Sequence, residues 1–226
     1  MERFARDQDP AVRGFLHRPA MPRGDALVLT HGAGSNCQAG ILIAVADAFA
    51  EAGFAALRCD LPFRQQRPHG PPSPGGSGRD REGLQNAVQA LRGLDPSGSF
   101  KRVFLGGHSY GGRQATILAA ADPGLVDGLL LLSYPLHPPR KPAELRTAHF
   151  LKLRTRALFV HGSRDPFGTL EEMKSAVSLI SAATSLLPIE GAGHDLNFGR
   201  TGGANASDLN SRWPRRVVEA FQALVG

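Results

Sequence analysis

The chain of 226 residues has little of what would place it quickly in a special class. Its only two cysteines, Cys37 and Cys59, give neither a disulfide framework nor the spacing of a metal site. No apolar run approaches the roughly 18 residues that a membrane span needs, and the first residues lack the apolar core of a signal peptide. These absences predict a cytoplasmic protein that has no membrane contact, metal or organic cofactor.

Lysine is also scarce, with four residues among the 26 basic ones, so arginine carries most of the positive charge. The formal net charge is +6, but the arginines are scattered and form no basic run of the kind found in nucleic-acid tails. We therefore predict no nucleic-acid partner. The length and the 42% of hydrophobic residues are ordinary for a globular protein, and we predict a single domain over residues 1–226. Neither feature indicates an oligomeric state.

Short apolar runs alternate with helical patterns along the chain. The runs Ala26–Thr30, Phe54–Cys59 and Leu129–Leu132 are typical of strands that are buried on both faces. Further strands are predicted at Val12–His17, Val103–Leu105, Ala157–Val160 and Ser185–Ile189. The alternation predicts an α/β fold that is doubly wound, with a mainly parallel sheet of about six to seven strands and helices on both faces.

The segment Leu61–Gly78 is rich in proline and glycine. Because proline removes backbone donors and glycine removes stiffness, this composition predicts a loop with neither helix nor central strand. A helix is predicted next, over Arg79–Leu94, and Asp95-Pro96-Ser97-Gly98 is predicted to end it.

Three later patterns also predict helices. Ala143–Leu153 is predicted to be helical, and Thr169 with Glu172 predicts a capping box at the start of another helix. Pro214 is predicted to lie in the first turn of the final helix, where its missing N–H has no intrahelical partner to lose.

The stretch Val103–Gly112 carries the strongest signature. Its residues Gly107-His108-Ser109-Tyr110-Gly111 fit the pattern G-x-S-x-G between a predicted strand and a helical stretch, Gly112–Ala121. In that context the turn holds the serine at its tip in a strained conformation, and the glycines let strand and helix approach closely. A chance match in a glycine-rich loop is the alternative, because the chain has 27 glycines.

Two later loops carry the partners that a nucleophilic serine needs. His194 lies in a glycine-rich loop after the last predicted strand and is the predicted base for Ser109. Asp165 follows another strand and is predicted to accept the second ring N–H of His194. The alternatives are a turn role for His194, a turn role for Asp165 before its proline, and Asp195 as a rival acid.

An oxyanion formed during attack on a carbonyl needs two backbone donors. We predict the N–H of Tyr110, directly after the nucleophile, and the N–H of Ala33, in the loop that follows Thr30. The remaining histidines of the strand ends, His31, His108 and His161, are predicted to be structural.

Four arginines flank the proline-rich loop: Arg64, Arg67, Arg79 and Arg81. They admit two readings, attraction of an acidic substrate or a solvated loop, and the pattern favours the solvated loop.

Four segments together resemble the α/β-hydrolase superfamily, and within it the small lidless members near dienelactone hydrolase. The segments are Thr30–Gly34, Gly106–Gly112, His161–Asp165 and Gly193-His194. Ser133–His137 and Gly111-Gly112-Arg113 further resemble the testis-expressed-thirty-like subgroup. The chain has no room for a large cap domain. Dienelactone hydrolases use cysteine where this chain has Ser109, so their substrate is not carried over.

This resemblance implies a serine hydrolase that acts on a small-molecule ester, thioester or other acyl compound through an acyl-enzyme. The chain order Ser109, Asp165, His194 is that of the superfamily's catalytic triads. Because the subgroup includes members without proven catalysis, a catalytically silent binding or scaffold protein is the alternative. Cleavage of C–C bonds or use of peroxide would employ the same residues.

Overall fold

A computed structural model describes residues 1–94, 100–198 and 206–226, with side chains of the last segment described from residue 210 onward. The strands are β1 (Glu2–Arg6), β2 (Val12–His17), β3 (Asp25–Thr30), β4 (Phe54–Cys59), β5 (Arg102–His108), β6 (Leu129–Leu132), β7 (Ala157–Gly162) and β8 (Thr184–Ile189). The helices are α1 (Gly40–Glu51), α2 (Pro62–Gln66), α3 (Ser77–Arg92), α4 (Tyr110–Ala121), α5 (Leu170–Val177) and α6 (Ala206–Val225).

The strands form one sheet in the order β1-β2-β4-β3-β5-β6-β7-β8. The pairs from β4 to β8 are parallel, whereas β2 pairs antiparallel with both β1 and β4. The predicted doubly wound, mainly parallel sheet is confirmed, but the predicted number of strands was too low. The unexpected strand is β1, an edge strand that buries only Phe4 and therefore shows no apolar run.

Helices cover both faces of the sheet. On one face α3, α4 and α5 bury residues such as Leu84, Ala115 and Met173 against the strands. On the other face α1 and α6 bury residues such as Phe49 and Phe221. Each fully buried Leu, Met or Phe side chain contributes about 1.5–3 kcal/mol to the stability of the fold. Because the strands from β4 to β8 are parallel, their carboxyl ends lie at one edge of the sheet, between the two layers of helices.

The proline-rich segment contains a short helix, α2, where the sequence predicted a loop. Pro62 stands at its first position, which suits the fixed φ of proline. The helix is held because Phe63 is buried and its backbone N–H donates to Asp80 Oδ1 at 3.2 Å. The following helix, α3, starts at Ser77, two residues earlier than predicted. The turn predicted at residues 95–98 lies outside the described residues.

The helix predicted over Ala143–Leu153 is wrong, since only Phe150–Lys152 forms a short 3-10 turn. Long-range bonds account for the difference. The N–H of Arg146 donates to Leu136 O at 2.8 Å, and its carbonyl accepts from the Tyr134 hydroxyl at 2.7 Å. Backbone groups that bond elsewhere are lost to a helical ladder.

Of the other two helix predictions, one is confirmed and one is wrong. Thr169 and Glu172 form the reciprocal bonds of a capping box at the start of α5. Pro214 lies inside α6 instead of its first turn. Trp213, immediately before the proline, is already buried in the core, so the helix extends upstream of Pro214 to use that contact.

Candidate active site

Ser109 lies on a tight turn between β5 and α4. Its backbone adopts φ 50° and ψ −114°, a left-handed conformation that costs a non-glycine residue about 1–3 kcal/mol. The turn closes because Gly107 and Gly111 have no Cβ. A Cβ on Gly107 would lie 2.8 Å from the Gly111 carbonyl carbon, and one on Gly111 would lie 2.6 Å from His31 O. The strained turn predicted from the pattern is present.

Three predicted residues from separate loops meet at this turn. His194 Nε2 lies 2.9 Å from Ser109 Oγ, and His194 Nδ1 lies 2.7 Å from Asp165 Oδ2. The Asp165 side chain is fully buried, whereas Ser109 is 8% exposed. A buried carboxylate that accepts from Nδ1–H sets the tautomer that leaves Nε2 free to take the serine proton.

Asp165 also makes the turn that was the alternative reading of its sequence. Its Oδ1 accepts from the Phe167 N–H at 2.9 Å, while its Oδ2 accepts from His194. The two readings are therefore compatible. The rival acid, Asp195, is exposed, and its Oδ1 lies 3.8 Å from His108 Nε2 instead of facing the His194 ring.

Two aromatic rings flank the imidazole of His194. Phe167 lies with its ring centroid 4.3 Å away, and His108 lies at 4.9 Å. Burial, with the nearby His194 as the second cause, lowers the pKa of His108 to about 4, so His108 is neutral and its Nε2–H donates to His194 O at 3.0 Å. Sequence reasoning missed Phe167, although the turn-forming Asp165-Pro166 dipeptide just before it was a usable signal.

The loop after β3 lies directly against Ser109. Its His31 carbonyl accepts from the Gly111 N–H at 3.1 Å, and a Cβ placed on Gly32 would lie 3.4 Å from Ser109 Cβ. In the part of the chain that the structure describes, the N–H groups of Ala33 and Tyr110 donate to no protein acceptor. These are the two donors predicted for the oxyanion.

Arg64, on α2, forms hydrogen bonds to this loop. It is 6% exposed, and its guanidinium donates to Ser35 O at 2.6 Å, to Ala33 O at 2.9 Å and to Gly70 O at 2.9 Å. The favoured reading of a solvated loop is therefore wrong for Arg64, because its donors bind backbone carbonyls. Sequence reasoning did not identify this contact.

The other three flanking arginines also have protein partners. Arg67 donates to Pro71 O at 2.9 Å, Arg79 pairs with Asp9, and Arg81 donates to Gln114 Oε1 at 2.9 Å.

His31 lies fully buried beneath the loop. Its Nδ1–H donates to Gly32 O at 2.9 Å, and its Nε2 accepts from the Leu61 N–H at 3.1 Å. Burial lowers the pKa of His31, which favours this neutral tautomer. The ring thus links the loop to the end of β4.

One cavity lies near the site and a larger one lies away from it. One of about 470 Å³ lies beside it, between Ser35 and the segment 195–197, and its apolar lining includes Ala39, Ile41 and Trp213. A larger one of about 580 Å³ lies at the amino ends of β3 and β5, and its lining includes none of Ser109, His194 and Asp165. The lining of the smaller cavity likewise includes none of these three residues, but it includes Asp195, the neighbour of His194 in the chain.

The two cysteines near the site are not nucleophiles. Burial raises the pKa of the Cys37 thiol to about 12 and that of Cys59 still further, so neither is a thiolate at neutral pH. Among the described residues, no three His, Cys, Asp or Glu side chains are arranged to hold a metal ion. No described helix is long and apolar enough to cross a membrane.

Comparison with known proteins finds one family model and many similar structures. The model is described as an alpha/beta hydrolase domain and matches residues 23–222. A dienelactone hydrolase from Anabaena variabilis is 19% identical with a TM-score of 0.72, covering 100% of this chain and 99% of that one. A lidless serine hydrolase from Xanthomonas campestris is 15% identical with a TM-score of 0.69, covering 98% and 95%.

A third similar structure is the protein Est1E from Butyrivibrio proteoclasticus. It is 16% identical with a TM-score of 0.72, covering 99% of this chain and 100% of that chain. At these identities the structural likeness establishes the fold alone, and the family model reaches from just before β3 into α6.

Proposed function

This chain belongs to the alpha/beta hydrolase domain family, and from that premise we propose that it is a serine hydrolase that cleaves a carboxylic ester or thioester through an acyl-enzyme. One observation carries the proposal. A continuous hydrogen-bond chain runs from the buried Asp165 through His194 to the hydroxyl of Ser109. A serine hydroxyl is a weak nucleophile until such a base accepts its proton.

In the acylation half-reaction, Ser109 Oγ attacks the substrate carbonyl while its proton moves to His194 Nε2. Asp165 stabilises the imidazolium that forms and keeps the ring oriented. The tetrahedral intermediate then collapses, and His194 returns the proton to the departing alcohol or thiol. In the second half, water attacks the acyl-enzyme with His194 again as base, and the acid leaves with Ser109 restored.

The negative charge of the tetrahedral intermediate needs donors that are already in place. We assign the backbone N–H groups of Ala33 and Tyr110 to this role, supported by the absence of any other acceptor for them among the described residues. One oxyanion donor is typically responsible for about 10²–10³ in kcat. Substituting Ala33 by proline removes its donor and is the sharper test of the pair.

The test is hydrolysis of p-nitrophenyl esters of graded acyl length, with Ser109→Ala as the blank. We expect saturable turnover by the wild type and a loss of at least about 10⁴-fold in kcat in Ser109→Ala and in His194→Ala. Ser178→Ala, an exposed serine on the far end of α5, is the matched control and retains activity. A folded protein that turns over no ester in the panel would favour the scaffold role instead.

A further inference from the structure

Arg113 has a buried donor without a partner, one helical turn from the nucleophile. Its backbone N–H donates to Ser109 O at 3.0 Å, which fixes its place in the first turn of α4. Its Nε is buried and has no hydrogen-bond partner, and the side chain forms no ion pair within the described residues. An unsatisfied buried donor on a charged group is costly, and an acceptor bound there removes that cost.

A second half-buried arginine, Arg146, belongs to the segment after β6 that contacts α4 through the 2.8 Å bond between His149 Nε2 and Thr116 Oγ1. Burial and then the charge of Arg113 lower the pKa of Arg146. Among the described residues its guanidinium makes one long contact, 3.4 Å to Pro135 O. Its backbone, by contrast, is held on both sides by Leu136 and Tyr134. The fold therefore holds two cations together, although like charges repel.

Neutral groups complete the surroundings of these two arginines. Burial and the charge of Arg113 lower the pKa of His149 to about 4, so this histidine adds no third charge at neutral pH. The Thr116 hydroxyl donates to Arg113 O at 2.8 Å and accepts from His149 Nε2–H at 2.8 Å. These bonds position the backbone around Arg113 but do not use its guanidinium.

The nearby carboxylates are already engaged. Asp80 is buried and accepts from the Tyr110 hydroxyl at 2.7 Å and from the Phe63 N–H. Glu144, which acts on Arg146, pairs with Lys141 at 2.8 Å. No salt bridge in the described part of the chain reaches either guanidinium of the pair. The charges of Arg113, one helical turn from Ser109, and of Arg146 are therefore left for a group that the protein does not supply.

We propose that Arg113 and Arg146 form an anion-binding site that holds a carboxylate or phosphate group of the substrate while its acyl carbon reacts at Ser109. A planar guanidinium presents paired donors that match either oxyanion. This inference rests on the proposed function and narrows it. The substrate is an ester or thioester that carries a second, anionic end, and that end lies on the side of Ser109 where α4 packs.

The first test compares two esters of equal chain length, mono-p-nitrophenyl glutarate and p-nitrophenyl pentanoate. The measured quantity is the ratio of their kcat/KM values. We expect this ratio to fall about tenfold in Arg113→Gln and in Arg146→Gln, because each loses a charge-assisted contact to the carboxylate. A ratio that is the same in the wild type and in both variants would overturn the anion site.

The matched control is Arg216→Gln. Arg216 is exposed on α6, which covers the opposite face of the sheet from α4, and its substitution removes the same unit of charge. We expect the ratio of the two esters to stay at the wild-type value in Arg216→Gln. A fall as large as in Arg113→Gln would show that overall charge, not a local site, selects the anionic ester.

The second test separates the anion site from catalysis. Binding of glutarate and of inorganic phosphate is measured by calorimetry on Ser109→Ala, which performs no turnover. We expect affinity for at least one of them to weaken about tenfold when Arg113→Gln is added, and the tighter of the two identifies the oxyanion. Equal binding with and without Arg113→Gln would overturn the site even if the esterase activity is established.

Discussion

The two sides of Ser109 differ in how their polar groups are bonded. On the side of the loop after β3, His31 and Arg64 use their ring and guanidinium nitrogens in hydrogen bonds to the backbone. On the side of β6, β7 and α4, the buried atoms without a partner among the described residues are Arg113 Nε, Gln114 Nε2, Ser133 Oγ and His161 Nδ1, and Thr155 Oγ1, just before β7, is a fifth. Arginine therefore has different roles on the two sides. Arg64 stabilises a loop through its hydrogen bonds, whereas Arg113 keeps an unpaired donor.

This difference indicates that the two sides of Ser109 have different roles. Backbone carbonyls offset the desolvation of Arg64, and the loop that this arginine holds is fixed before any substrate arrives. Ser133 adopts φ 49° with a buried, unbonded hydroxyl, so the opposite side stores both strain and unused hydrogen-bonding capacity. We interpret the bonded side as the oxyanion support and the unbonded side as the ligand side.

The largest effect is expected from Asp165, whose two carboxylate oxygens are bonded to the Phe167 N–H and to the His194 ring. Asp165→Asn retains the shape but gives the His194 ring the wrong partner, and kcat for p-nitrophenyl ester hydrolysis is expected to fall about 10⁴-fold. Asp195→Asn, adjacent to His194 but exposed, is the control and is expected to change kcat by less than about threefold. Equal losses in the two variants would remove the distinction between these carboxylates.

A smaller effect is expected on the bonded side. Arg64→Met removes four contacts to carbonyls of the loops 33–35 and 67–70, and the resulting displacement of Ala33 is expected to lower kcat about 10²-fold with little change in KM. Arg64→Lys keeps the charge without the fork and is expected to recover only part of kcat. Arg67→Met, at an exposed neighbour, is the control.

Steady-state kinetics together with thermal unfolding distinguish the two possible roles of Arg64. A lower melting temperature with unchanged kcat in Arg64→Met would show that the arginine stabilises the fold but does not position the oxyanion donors.

The smallest effect is on stability as the pH falls. Burial lowers the pKa of His108 from 6.5 to about 4, so the folded state resists a proton that the unfolded chain accepts. Stability from this group is therefore complete above pH 6.5 and is lost as the pH falls toward 4, by about 1.4 kcal/mol per unit. Urea unfolding at pH 7, 6 and 5 measures this slope.

His108→Gln keeps a donor for His194 O and is expected to reduce that slope by the share of His108, while His149 and His31 retain theirs. His69→Gln, at an exposed histidine of the loop 67–76, is the control and should retain the wild-type slope. An unchanged slope in His108→Gln would mean that another buried histidine carries the pH dependence.

The sequence predicted most of the sheet because buried parallel strands leave continuous apolar runs, such as Leu129–Leu132. It also predicted that Ser109, Asp165 and His194 follow strands, and the carboxyl ends of parallel strands share one edge. It did not predict β1, because an edge strand with one buried residue resembles a loop.

The hydrogen bonds of Arg64 and the unpaired donor of Arg113 were also beyond sequence reasoning. Each depends on how irregular segments fold: Arg64 on the proline-rich loop, and Arg113 on the segment around Arg146, where long-range bonds replace the expected helix. Local propensity carries no information about such contacts.

Activation of the Ser109 hydroxyl by His194 is tested most directly by labelling with a fluorophosphonate probe. Intact mass and peptide mapping should show one adduct per chain on Ser109, absent in Ser109→Ala and strongly reduced in His194→Ala. A folded protein that stays unlabelled, or whose label is unaffected by His194→Ala, would contradict the claim.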